Sequence, residues 1–337
     1  MKEAPAPSPA VEVTNLDIVY RAARGDLVAA RDVSFAVGRG EVFGLIGETG
    51  SGKSTILRSI IGLLHRNAHI EAGTIRVGGH PITGASDEEL VALRRQQMAM
   101  VFQDPLRALN PVMRIGAQLA EAARAGGAKD RDAVERLMVE TLERVGIADP
   151  LVRLRAYPHE LSGGLRQRIV IAAAIIRSPM LILADEPTTA LDVTIQDQIL
   201  TLLRQLCRDM GMSIVLVTHD MGVVAQACDR VGVLYAGRLV ETGDVSRVLT
   251  APAHPYTAAL LAAIPRIGER RTRLQVIPGR PADLSLAVDG CPFAPRCGHA
   301  VPDCTRIRPD LRIHGGTQAS ACWRHAELQP ILAAGAA

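Results

Sequence analysis

Gly47, Glu48, Thr49, Gly50, Ser51, Gly52, Lys53 and Ser54, followed by Thr55, place a glycine four residues ahead of Gly-Lys-Ser. That spacing suits a loop whose backbone N–H groups surround phosphate oxygens. Three glycines let the chain curl tightly, and the positive end of a following helix adds to the attraction for anions. Lys53 can reach the β- and γ-phosphates of a nucleotide, and the Ser54 hydroxyl can sit on Mg²⁺. The chain has only three lysines, Lys2, Lys53 and Lys129, against thirty-five arginines. A lysine at the cradle position is therefore no accident of composition: a compact ammonium fits where a guanidinium fork does not.

Three further groups could act on a phosphate. Ser162 with Gly163 and Gly164 stands at a predicted helix start, where free N–H groups and a hydroxyl can face an anion. Asp185 and Glu186 end the apolar run Leu181–Ala184. The first can hold Mg²⁺ through water, and the second can orient or deprotonate an attacking water; two acids after a strand also occur as simple loop starts. His219 follows another apolar run, Ile214–Val217. A lone histidine is usually structural, but α/β sheets place their ligands at this end of a strand.

The elements that must position these groups are legible from periodicity. Val42–Ile46 is a short apolar strand before the glycine loop, and a helix follows Lys53, giving the strand, turn, helix order that the loop needs. Val11–Tyr20, Val33–Val37 and Thr74–Val77 read as antiparallel strands around it. Tyr20, at the end of the first, could stack on adenine or be an ordinary strand-end aromatic. A helical stretch at about 104–165 carries Val134, Leu137, Met138, Leu142 and Val145 at helix spacing, a packing face and an inserted subdomain. Asp192 is placed to cap a long helix ending at Gly211, and Cys207 within it is a small buried residue.

Composition limits the function. The formal charge is +3 and aromatic residues are 3% of the chain, too few for a base-stacking surface. No aliphatic run is long enough to cross a bilayer. Residues 1–10, rich in Pro and Ala, form a disordered lead-in without the apolar core of a signal peptide, which points to the cytoplasm. Cys291, Cys297, Cys304 and Cys322 cluster in a proline-rich tail that also holds Arg270, Arg271 and Arg273. In a reducing compartment such clustering favours metal over disulfides. The spacing C-x5-C-x6-C-x17-C lacks the close pair typical of structural zinc. Four thiolates can instead hold an iron–sulfur cluster, and four buried thiols closing a small cap are the alternative.

The ordered set of the loop at 47–54, Gln103 in Val101-Phe102-Gln103-Asp104, Leu-Ser-Gly-Gly at 161–164, Asp185-Glu186, Asp192 and His219 resembles the ABC-transporter ATPase family. The resemblance covers roughly residues 11–250. It implies an α/β P-loop NTPase domain at 11–255 with an antiparallel β subdomain and an inserted helical subdomain. It implies that two such domains close head to tail, with each ATP between one domain's phosphate loop and the other's signature. On this likeness Tyr20 stacks on adenine, Gln103 senses Mg²⁺ and water while facing a transmembrane partner, and His219 contacts the γ-phosphate. Gly47 to Thr55, Ser162, Gly163, Gly164, Asp185 and Asp192 complete the nucleotide site. Ser54, Gln103 and Asp185 serve Mg²⁺, and Glu186, His219 and Gln103 serve hydrolysis.

Phe102-Gln103-Asp104-Pro105, Leu109-Asn110-Pro111-Val112-Met113, Tyr157-Pro158-His159-Glu160, His254-Pro255-Tyr256-Thr257 and Gly290-Cys291-Pro292-Phe293-Ala294-Pro295-Arg296-Cys297 resemble the oligopeptide, dipeptide and nickel importers in particular. Leu165 stands where methionine is common in the family, an apolar exchange away from the phosphate chemistry. The likeness implies an ATP-hydrolysing subunit of a peptide-class importer. It works at the cytoplasmic face of the membrane with a second ATPase chain, the same or different, two permease subunits and, indirectly, a solute-binding protein. Residues 256–337 form a small cysteine-containing extension, for which some relatives suggest a [4Fe–4S] cluster rather than Zn²⁺. The chief rival, a soluble ATPase acting on nucleic acid or ribosomes, fits less well, because there is one phosphate loop and no basic nucleic-acid face; an importer of nickel or another small solute is a further alternative.

Overall fold

The computed structural model describes residues 8–21, 25–189, 191–264, 276–282, 284 and 289–336. Residues 1–7 of the lead-in, and Arg270, Arg271 and Arg273 of the tail, lie outside the described residues.

The chain begins with β1 (Val11–Tyr20), β2 (Leu27–Val37), β3 (Val42–Ile46), α1 (Lys53–Ile60), β4 (Ala68–Val77), β5 (His80–Pro81), α2 (Asp87–Gln96) and β6 (Met98–Val101). There follow α3 (Pro105–Ala108), α4 (Ile115–Ala125), α5 (Arg131–Arg144), α6 (Pro150–Arg155) and α7 (Gly163–Ile175). Next come β7 (Leu181–Asp185), α8 (Val193–Met210), β8 (Ser213–Thr218), α9 (Met221–Ala227), β9 (Arg230–Tyr235) and β10 (Arg238–Asp244). The chain closes with α10 (Val245–Thr250), α11 (Pro255–Ala262), α12 (Pro302–Arg306), β11 (Arg312–Ile313), β12 (Ala319–Ser320) and α13 (His325–Ala336). No described helix is long and apolar enough to cross a membrane.

Two sheets carry these elements. The smaller is antiparallel, in the order β2-β1-β4-β5, as the alternating apolar residues of β1 and β2 anticipate. The larger runs β11-β12-β10-β9-β3-β8-β7-β6, and its strands from β9 to β6 are parallel. Strands buried on both faces read as continuous apolar runs. Along β3, β7 and β8 successive side chains enter different cores: Ile46, Ile182 and Leu216 pack with the helical subdomain and α8, while Leu45, Leu183 and Val217 pack with α1 and the antiparallel sheet.

Parallel strands all end at the same rim. The chain therefore delivers Gly47 after β3, Gln103 after β6, Glu186 after β7 and His219 after β8 to one edge of one sheet, where α/β folds bind ligands. The tail joins the sheet as well, because β12 pairs antiparallel with β10 through Glu241 opposite Ser320 and Thr242 opposite Ala319.

Candidate active site

The phosphate loop has its shape because two of its glycines admit no side chain. A Cβ on Gly52, whose φ is 102°, would fall 2.1 Å from the carbonyl oxygen of Ala29, and one on Gly47 would fall 2.1 Å from that of Leu234. Backbone from β2 and β9 thus presses on the loop from outside and turns its N–H groups inward. Lys53 is 6% exposed, and its Nζ donates to the carbonyl oxygens of Gly47 at 2.7 Å and Glu48 at 2.9 Å. Burial lowers its pKa, against the pull of Glu186, Asp185 and Glu48. Its charge lies where a polyphosphate can draw it away from carbonyl partners.

Ser54 is the second residue of α1 and donates from Oγ to Asp185 Oδ1 at 2.8 Å. Burial raises the Asp185 pKa, opposed first by that hydrogen bond and then by Arg58. A hydroxyl and a carboxylate side by side are hard oxygen donors of the kind Mg²⁺ takes, so the pair fits the metal. Tyr20 places its hydroxyl 3.1 Å from Thr55 Oγ1 and its ring 6.3 Å from that of His65, beside the helix that the loop starts.

Glu186 is the most constrained side chain of the rim. Its φ is 47°, an uncommon value for a residue with a side chain, and its N–H donates to the Val217 carbonyl at 2.9 Å. Oε1 lies 3.0 Å from His219 Nδ1, while Oε2 accepts from Gln103 Nε2 at 3.1 Å and from Thr189 Oγ1 at 2.9 Å. Two predicted residues, His219 and Gln103, thus meet on the carboxylate of a third. Thr189 was missed by the sequence reasoning; its only signal is its place three residues after Glu186.

The second predicted anion terminus stands apart. Ser162 is exposed and caps α7, accepting from the Leu165 N–H at 3.3 Å. Gly164 packs so closely on α8 that a Cβ would fall 2.8 Å from Ile195 Cγ2, whereas one on Gly163 would only touch Leu191. Among the described residues no hydrogen bond joins Ser162, Gly163 or Gly164 to the phosphate loop. Asp192 caps α8 through the Ile195 N–H at 2.9 Å, so its carboxylate serves that helix.

Cys291, Cys297, Cys304 and Cys322 line one small cavity, of about 20 Å³, with Phe293, His254 and Trp323. Burial pushes up three of the thiols, Cys291 to about 12, Cys322 to about 11 and Cys297 in the same direction, and neighbouring cysteines add to each rise. Yet among the described residues no three His, Cys, Asp or Glu side chains stand together as ligands of a metal ion. A tetrahedral zinc site brings thiolates to about 2.3 Å from the metal. Among the described residues the thiols form no such group, so neither Zn²⁺ nor an iron–sulfur cluster finds a ready-made site.

Comparison with known proteins places this geometry among relatives. Residues 30–189 match the ABC transporter family, and residues 240–304 match the C-terminal region of the oligopeptide/dipeptide transporters. The chain is 42% identical to the oligopeptide transport ATP-binding protein OppD of Salmonella typhimurium, covering 96% of each chain. It is 43% identical to the dipeptide transport ATP-binding protein DppD of Bacillus subtilis, over 93% of this chain and 94% of that one. Among solved structures it resembles the dimeric ATP-binding cassette MJ0796 bound to ADP and Pi, with a TM-score of 0.63 and 28% identity over 70% of this chain and 98% of that one.

Proposed function

The chain belongs to the ABC-transporter ATPase family, and from that premise we propose that it is the ATP-hydrolysing subunit of an importer of peptides. The observation that carries the peptide class is the likeness to OppD and DppD over nearly the whole chain, C-terminal extension included. Such a subunit docks on two permease subunits at the cytoplasmic face and pairs with a second ATPase chain.

In the chemistry, the loop N–H groups and Lys53 hold the β- and γ-phosphates. Ser54, Asp185 and Gln103 would hold Mg²⁺, which would supply positive charge against the negative phosphates. Glu186 accepts a proton as the water oxygen bonds to the γ-phosphorus, and the bond from that phosphorus to the ADP oxygen breaks. Positioning by His219, Gln103 and Thr189 keeps the carboxylate aimed at that water. The exposed α7 terminus, with its hydroxyl turned on its own helix, is free to serve a partner's ATP, and MJ0796, of the same fold, is dimeric. Closure on ATP and reopening after hydrolysis then drive the permease subunits. A strain lacking the chain should fail to take up labelled peptides while retaining amino-acid uptake. The wild-type chain should restore uptake and Glu186→Gln should not. Unchanged peptide uptake in the deletion strain refutes the peptide assignment.

The four cysteines are proposed as ligands of a [4Fe–4S] cluster with a structural role. Support comes from the ligand count and from the cavity that all four cysteines line. Anaerobically purified protein should be brown, and Cys297→Ser should lose the colour while still binding ATP. Colourless wild-type protein refutes the cluster.

A further inference from the structure

Arg296, from the extension, lies against the phosphate loop of the same chain. Its Nη1 and Nη2 donate to Glu48 Oε2 at 2.8 Å and Glu48 Oε1 at 3.0 Å, the two-pronged geometry that suits guanidinium and carboxylate. The remaining donors are fixed as well: Nε to the Pro278 carbonyl at 2.9 Å, Nη2 to that of Ile277 at 3.4 Å, and Nη1 to the Tyr235 hydroxyl at 3.3 Å. Arg296 is 8% exposed. The Glu48 N–H donates to the Tyr256 hydroxyl at 2.9 Å, and the Tyr256 ring packs on Phe293, which lies between Cys291 and Cys297. The extension therefore grips this residue of the loop by both backbone and side chain.

Charge gives the grip a consequence. Lys53 at the phosphate position feels three carboxylates, Glu186, Asp185 and Glu48. A polyanion entering the loop meets the same three. Asp185 has Ser54 and Arg58 nearby, and Glu186 has His219, Gln103 and Thr189. Glu48 has Arg296. Without that guanidinium an uncompensated carboxylate would stand in the loop that must accept phosphate.

We propose that Arg296 is a positioning residue for ATP binding: by holding and neutralising the Glu48 carboxylate, the C-terminal extension sets the affinity of the phosphate loop for nucleotide. The proposal rests on the assignment of that loop as the ATP cradle. Near a protein surface one unpaired charge is worth roughly a factor of ten in affinity.

The test measures binding of Mg-ATP to the full-length chain and KM and kcat in the assembled transporter. Arg296→Met should weaken ATP binding and raise KM by about tenfold, with kcat at saturating ATP within about twofold of wild type. Adding Glu48→Gln to that variant should restore affinity to within about threefold, since the offending charge is then gone. Glu48→Gln alone leaves the Arg296 guanidinium uncompensated beside the loop and should bind ATP more tightly than wild type. Wild-type affinity in Arg296→Met, or a double variant no better than Arg296→Met, overturns the proposal. Should Arg296→Met fail to fold, Glu48→Gln decides: tighter ATP binding supports the proposal, and unchanged or weaker binding overturns it. Lys53→Ala in the same assay reports on the cradle itself, so failure of that assignment is distinguishable.

Discussion

A carboxylate that must take a proton from water needs a free lone pair and a fixed direction, and Glu186 has both. Its oxygens have donors at 2.9 to 3.1 Å from three different segments, so its direction is set before any nucleotide arrives. A glutamine in its place has nearly the same shape and no basic oxygen. Glu186→Gln should therefore bind ATP with near wild-type affinity and turn over at least ~100-fold more slowly, as measured by phosphate release beside equilibrium binding. Loss of less than about tenfold would move the base elsewhere. Thr189→Val is the milder probe, because it removes one of the three donors and leaves the base, and kcat should fall while ATP affinity holds.

Helix α7 illustrates what an element can do with its end. Its body, Ile169 to Ile175, is packed into the core shared with the sheet, whereas its cap, Ser162, is exposed and the two glycines that follow are half-buried. Ser162→Arg removes a cap worth about 1 kcal/mol and sets a bulky fork where a second molecule's phosphate would sit. The isolated chain should keep its nucleotide affinity, and turnover of the assembled transporter should fail. Loss of ATP binding in the isolated chain would mean that the signature serves its own phosphate loop. The same contrast explains what could be read from the sequence. Strand, loop and helix around Lys53 are contiguous, so spacing alone located the cradle, and the apolar runs of β3, β7 and β8 announced a buried parallel sheet. Thr189 was missed because a threonine after an acid carries no spacing rule. The bond from Arg296 to Glu48 spans 248 positions, and nothing local to either residue signals the other.

At the scale of the whole molecule the question is whether the extension is an appendage or part of the ATPase. The sequence marks residues 256–337 as a small cysteine-containing extension, and its Tyr256 and Phe293 are both buried in the core that holds α7 and α8. The carboxylate of Glu241 on β10 is fully buried and accepts from the N–H groups of Ala253 at 2.8 Å and His254 at 3.0 Å, and from Gln318 Nε2 at 2.8 Å. Burial raises its pKa, and these donors oppose the rise. Ser320 adds a bond from Oγ to the Ala253 carbonyl at 3.0 Å. A chain ending at Gly290 would leave that carboxylate short of a donor, at about 1–3 kcal/mol, and would uncover the Phe293 pocket at about 2 kcal/mol more. The loss of β12 exposes the edge of β10 besides. Such a truncation should lower the midpoint of thermal unfolding by on the order of 10 °C, and the full-length chain should unfold in one transition by calorimetry. An appendage would behave otherwise: the truncated chain would keep the wild-type midpoint, and the full-length protein would show a second, independent transition.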